Sequence, residues 1–168
     1  MINNLESGEV SRQPASDFCF VCGRNNPAGL RLDFYNNKTQ VWTEFTPTEY
    51  YQSWPGILHG GIITTLLDET ISRVAFLYDK WVSTGKLEVK FRKPTPLGQK
   101  LRISGELVRD AGRAMEMRGR IQVIETGEIT AEASGLFVRL PDATRHEIIK
   151  AVGGDFAEWE EWLAKNRH

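Results

Sequence analysis

The stretch GILHGGIITTLLDET, Gly56 to Thr70, puts His59, Gly60 and Gly61 directly ahead of an apolar run that carries two adjacent acids, Asp68 and Glu69. If that run is a helix, its first turn leaves backbone N–H groups without intrahelical partners, and the helix dipole makes that end partly positive. Glycine there lets a ligand approach the backbone closely. A phosphate or a developing oxyanion is the kind of group such an end receives. Ile62 and Ile63 follow the glycines where a phosphate loop carries Lys-Ser/Thr, so that motif is absent. On its own, His-Gly-Gly reads equally well as a turn and a helix cap.

The acids narrow the choice. Most positions around them are apolar, so at least one of the two is expected against desolvating neighbours, which push a carboxyl pKa up toward the range of a general base. Glu69 has Arg73 at i+4 and is accounted for by an ion pair along the helix. Asp68 has Ile71 and Ser72 at i+3 and i+4, no cation at either, and is left as the candidate base. A serine nucleophile is not expected, because no G-x-S-x-G elbow occurs.

Both cysteines lie in CFVCG, as Cys19 and Cys22. Zinc needs two further ligands, and the histidines on offer are His59, His146 and His168. A redox pair is expected at a strand-to-helix turn in a βαβ pattern, which this segment lacks. Packing of an N-terminal segment is therefore the expectation, with no metal and no cofactor.

The elements that must position these residues follow from periodicity. GLRLDFYNN alternates Leu30, Leu32 and Phe34 with polar neighbours, and TQVWTEFT sets Val41, Thr43 and Phe45 on one face, so the two make a hairpin. PTEYYQSWPGILHGG is a long connection. From Gly61 to about Tyr78 apolar residues cover most of a helix circumference, which marks a buried helix. KLEVKFRK, KLRISGELVRD, RAMEMRGRIQVIET and EITAEASGLFVRL then read as four strands of an antiparallel meander, with turns at Ala111-Gly112 and Thr126-Gly127. In DFAEWEEWLAKNRH, Asp155 and Glu158 form a capping box, and Trp159, Trp162 and Leu163 make a stripe that docks on the sheet or on a partner subunit. One oily helix and one large sheet must cover each other, so the class is α+β, a single helix wrapped by an antiparallel sheet of about six strands. The divisions are an arm over 1-29, a main domain over 30-140 and a C-terminal extension over 141-168.

A formal net charge of -1 gives no footprint for nucleic acid, and no apolar run approaches the length of a membrane span. The first residues, MINNLESGEVSRQ, lack the pattern of a signal peptide, so a cytoplasmic location is expected.

HGGIITTLLD, in which the acid stands nine positions after the histidine, together with STGKLEVKFRKPTPLG, resembles the H-G-G group of hotdog-fold acyl-CoA thioesterases related to the phenylacetic-acid-pathway enzyme. The resemblance runs from about Leu30 to Leu140. It implies hydrolysis of an acyl- or aryl-CoA, with the Gly60 amide as oxyanion donor, His59 shaping that site, and Asp68 as nucleophile or as the base that activates water. It implies a water-orienting hydroxyl at Thr84. Some relatives carry Asn six positions before the histidine, where this chain has Ser53 with Gln52 beside it. Gln52, Ser53, Gly61 and Glu69 fall on the substrate side of this arrangement. A fatty-acid dehydratase of the same fold would carry H-F-P-G, and here WPG follows Ser53. A non-catalytic acyl-CoA-binding module is the other alternative.

Gly60 and Asp68 are eight residues apart, roughly 12 Å along a helix. Reacting atoms need an oxyanion donor and a base each within about 3 Å. A homodimer, alone or paired into a tetramer, meets both demands if two such helices lie antiparallel and the Gly60 of one meets the Asp68 of the other. Lys90, Arg92 and Lys93, with Lys90 and Arg92 alternating against buried Val89 and Phe91, are the cations available for coenzyme phosphates. Trp42, Tyr50, Tyr51, Trp54, Phe76 and Trp81 are the aromatics available to line an acyl pocket.

Overall fold

Alternation of apolar and polar residues builds the sheet of the computed structural model, which describes residues 9–166. Residues 1–8, Arg167 and His168 lie outside the described residues. The strands are β1 (Ser11–Arg12), β2 (Phe34–Asn36), β3 (Gln40–Phe45), β4 (Val82–Phe91), β5 (Leu101–Asp110), β6 (Ala114–Val123) and β7 (Ile129–Arg139). They form one antiparallel sheet in the order β1-β2-β3-β5-β6-β7-β4. The central helix α1 (Gly60–Ser72) continues as a 3-10 segment, Arg73–Tyr78, and the sheet wraps it. Leu66, Leu67, Ile71 and Val74 are fully buried against Ile103, Met115, Ile121 and Phe137.

The closest approach of helix to sheet is set by small residues. Val41, Gly105, Gly119, Ala133 and Val89 lie in one row across β3, β5, β6, β7 and β4. A Cβ on Gly119 would stand 2.7 Å from Ile71 Cγ1 and 2.5 Å from the Ser104 carbonyl oxygen. One on Gly105 would stand 3.1 Å from the Ile71 Cα. The two glycines thus form the floor on which α1 lies at Ile71.

The structure corrects the expected meander. β5, β6 and β7 follow one another through turns at Gly112 (φ +77°) and Gly127 (φ +74°), as the turn signals require. β4, however, pairs with β7 at the far edge, and β5 pairs with β3. The linker after β4 contains Pro94 and Pro96 and makes no hairpin turn. It crosses the molecule and accepts the Leu58 N–H at the Thr95 carbonyl (2.9 Å), so it braces the loop ahead of His59. The strand expected from Leu30 shortens to Phe34–Asn36, because Arg31 takes a left-handed φ of 54°. Leu30 and Leu32 instead donate backbone hydrogen bonds to Phe20 and Val21 of the arm. Phe91 is 57% exposed at the open edge, where burial was expected.

The arm and the C-terminal segment pack together. α2 (Asp142–Val152), which periodicity did not reveal, leads into a 3-10 turn, Gly154–Glu158, and α3 (Trp159–Asn166). The expected capping box does not form. Gly153 precedes the turn, and the Asp155 carboxylate accepts the Ala15 N–H (3.2 Å) and pairs with Arg12 (3.1 Å). Trp159 and Leu163 are buried with Trp81, Phe156 and Phe76, so the stripe docks on the end of the central helix rather than on the sheet. Trp162 stacks on Trp159 and donates its Nε1–H to the Arg12 carbonyl at 2.8 Å. Among the described residues no helix is long and apolar enough to cross a membrane.

Candidate active site

The loop before α1 is held by its own backbone. Trp54-Pro55-Gly56-Ile57 closes a turn through Ile57 N–H to Trp54 O (2.9 Å), with proline second and Gly56 third at φ +79°, the arrangement of a type II turn. Ser53 N–H reaches the Ile57 carbonyl at 2.9 Å, and His59 N–H reaches that of Tyr51 at 2.9 Å. Gln52 bridges to Leu58, and its Oε1 faces the Gly56 N–H at 3.4 Å. The Gln52 side chain and the Ser53 backbone therefore both serve the turn.

His59 is the N-cap of α1, and its Nδ1 accepts the Gly61 N–H at 2.9 Å. A neutral His59 in this arrangement carries its proton on Nε2, which makes that nitrogen a donor. The Gly60 N–H, by contrast, has no hydrogen-bond partner among the described residues. The helix N-terminus thus offers one open amide and one imidazole N–H. Beside them lies the ring of Phe91, 3.5 Å from where a Gly60 Cβ would be.

Asp68 and Glu69 diverge as adjacent helix residues do. Glu69 turns inward and pairs with Arg73 Nε at 2.8 Å, as its spacing implied. Asp68 is half-buried on the side facing β4 and accepts a hydrogen bond from Thr84 Oγ1 at 2.8 Å. The register of β4 against β7 shifts between Thr84 and Lys86, so a bulge aims the Thr84 hydroxyl at the helix. One carboxylate oxygen of Asp68 is fixed by this bond, and the other remains for a reacting molecule.

The chain does not bring every candidate to this point. Lys90 and Arg92 lie on the outer face of the sheet, Lys90 3.9 Å from Glu88 and Arg92 paired with Glu132 at 2.7 Å. Tyr50 and Trp54 are 87% and 76% exposed in the loop ahead of His59. Tyr51 packs edge-on against Phe45 and Trp42 stacks on Tyr35, while Phe76 and Trp81 belong to the cluster under α3.

Comparison with known proteins bears on this geometry directly. Residues 55–130, which hold His59, Gly60, Asp68 and Thr84, match the family model of the thioesterase superfamily. Over this stretch, somewhat less than half of the chain, the sequence is similar to the thioesterase superfamily. Acyl-coenzyme A thioesterase THEM4 of Xenopus laevis is 31% identical over 108 residues, which are 64% of this chain and 49% of that protein. THEM4 of Bos taurus is 27% identical over 123 residues, 72% of this chain and 51% of the relative. The chain spans about half the length of the curated relatives it matches. The crystal structure of the thioesterase-superfamily protein RHA08564 superposes with a TM-score of 0.65 at 30% identity, covering 71% of this chain and 59% of that one. The smu.793 protein of Streptococcus mutans, solved with acetyl CoA, shares the fold at a TM-score of 0.61 and 21% identity, over 65% of this chain and 88% of its own. The α+β hotdog architecture, a helix wrapped by an antiparallel sheet, is common to them.

Behind α1 lies a group that sequence spacing did not reveal. Arg73, fully buried, pairs with Glu69, donates to the Pro14 carbonyl at 3.0 Å and lies over the Phe34 ring at 4.2 Å. Burial pulls its pKa down, but Glu69 and the nearby sulfurs more than offset this and hold it above its ordinary value. Cys19 and Cys22 stand against the same pair. A hydrogen bond from the Cys19 thiol, aided by the charge of Arg73, pulls Cys22 down to about 6, while Cys19 is raised by the same bond.

Proposed function

We propose that the chain hydrolyses an acyl- or aryl-CoA thioester to the free acid and CoA, in a cytoplasmic homo-oligomer whose sites are shared between subunits. The observation that carries this is the Thr84–Asp68 hydrogen bond at the open side of α1, which presents an oriented carboxylate nine positions after a helix-capping histidine. The match of residues 55–130 to the thioesterase superfamily and the similarity to acyl-coenzyme A thioesterases support the substrate class. The acetyl CoA bound by the S. mutans protein, which shares the fold, agrees with it.

In this mechanism Asp68 takes a proton from water as the water oxygen bonds to the thioester carbon. The carbonyl electron pair moves onto oxygen, where the partner subunit's Gly60 N–H receives the charge. The tetrahedral species then expels CoA as thiolate, which recovers the proton from Asp68. Direct attack by the carboxylate is the other route open to Asp68, with water releasing the acyl group from the anhydride afterwards. The partner's His59, next to that Gly60, supplies its Nε2–H to polarise the same oxygen. Gly61 keeps the helix entry open, and its N–H fixes the His59 tautomer. Sharing is supported by β4, which has a strand neighbour on one side only among the described residues, and by the unpartnered Gly60 amide. Coenzyme phosphates are assigned to Lys90 and Arg92, with Ser53 and Gln52 at the loop bordering the entrance.

The test is release of free CoA from a panel of aryl-, short-chain and long-chain acyl-CoAs. Wild type should turn over at least one class, and Asp68→Asn should lose at least about 100-fold while melting normally. No thiol release from any member sinks the thioesterase assignment, and near-normal turnover by Asp68→Asn removes that residue from the chemistry.

A further inference from the structure

We propose that Cys19, Cys22 and Glu69 bind one thiophilic divalent cation, zinc by the chemistry of the donors. A sulfur from each cysteine and a carboxylate oxygen of Glu69 all lie within 4.8 Å of one another. Ligands of a single tetrahedral zinc stand up to roughly 3.8 Å apart, so these atoms close on an ion with side-chain movement on the order of an ångström. Arg73 occupies Oε1 of Glu69, and Oε2 has no hydrogen bond among the described residues.

The turn sets a hydrogen-bonding group against each sulfur. Val21 N–H donates to Cys19 Sγ at 3.4 Å, Ser16 Oγ lies 3.5 Å from Cys22 Sγ, and Gly23 N–H closes the turn on the Cys19 carbonyl at 2.8 Å. Only glycine fits after Cys22: a Cβ there would stand 2.4 Å from the Cys19 oxygen and 2.7 Å from its nitrogen. Thus the C-x-x-C turn holds its first sulfur toward a donated N–H and its second beside it, as a metal-binding turn requires.

Charge supports the same assignment. Once a metal has displaced the thiol protons, two thiolates and a carboxylate carry three negative charges, which a divalent cation and the buried Arg73 guanidinium match. Cys19 and Glu69 are partly exposed, which leaves water to complete the fourth position. Such an ion joins the arm to α1 at the residue after Asp68, and it stands behind the helix, on the side away from Thr84.

The experiment uses the full chain, reduced and freed of metal with a chelator, then titrated with Co²⁺ and with Zn²⁺. One equivalent of Co²⁺ should give strong near-ultraviolet thiolate-to-cobalt absorption and tetrahedral visible bands, and Zn²⁺ should displace it and shield both thiols from a disulfide reagent. Cys19→Ser/Cys22→Ser should abolish the band, and Glu69→Gln should weaken binding at least about 10-fold. If the folded, reduced wild type shows no thiolate-to-cobalt band, or shows only oxygen-type octahedral bands, the site does not exist. An undiminished band in the double serine variant, or thiols that stay reactive in excess Zn²⁺, overturns it equally. None of these readouts depends on thioester turnover.

Discussion

Asp68 and Glu69 are neighbours with the same chemistry and opposite employment, and the difference lies in what each can reach. Glu69 finds a buried guanidinium one turn on, while Asp68 finds a hydroxyl on another element. Thr84→Val keeps the shape of that side chain and removes the donor. We expect kcat to fall about 10-fold, or about 1.4 kcal/mol of barrier, with KM nearly unchanged. Steady-state kinetics with an unaltered kcat would detach Thr84 from the chemistry. Arg92→Ala probes the coenzyme end: KM for an acyl-CoA should rise much more than for a truncated acyl thioester, with kcat kept. An equal rise for both places the phosphates elsewhere. At this scale the sequence was readable wherever the partner is local. Glu69–Arg73 follows from helix spacing, and Asp68 was singled out because it lacks such a partner. The meeting of Cys19 and Cys22 with Glu69 was hidden, since it depends on how the arm folds back over the helix.

Between elements, small residues decide how near the helix lies. Gly119→Ala places a methyl against a backbone carbonyl that cannot step aside, and against Ile71 on the other side. The cost should be about 1–3 kcal/mol, the usual range for overpacking. Denaturant unfolding checks it, and a loss below a few tenths of a kcal/mol would show that α1 does not rest on the sheet at that point. The helix itself was evident from its oiliness, and β5, β6 and β7 from alternation and turn glycines. The place of β4 was not, because alternation tells which face of a strand is buried and nothing about which strand lies beside it. The same limit hid the exposure of Phe91: its parity faces the helix, but the helix end it meets is open to solvent. α2 escaped notice because none of its residues is fully buried, so little apolar periodicity marks it.

For the whole molecule, the proposed sharing of sites between subunits makes a distinctive demand. Gly60→Val blocks the oxyanion end, Asp68→Asn the other, and each alone should be inactive. Mixed under conditions of subunit exchange, some dimers carry one site with both native residues, so part of the activity should return. Exchange without recovery, monitored with differently labelled chains, argues for sites contained within single subunits. The position of β4 also fixes an order of events during synthesis. This strand leaves the ribosome before β5, β6 and β7, yet its sole strand partner among the described residues is β7. Distant pairings of this kind form slowly, because a long loop must close before they are rewarded. A nascent chain that has reached residue 128 already contains Asp68 and Thr84, but it has no strand on which to hang β4. The carboxylate and the hydroxyl are therefore introduced to each other only when the last strand arrives, and truncation within β7 should leave a collapsed chain with its chemistry unassembled.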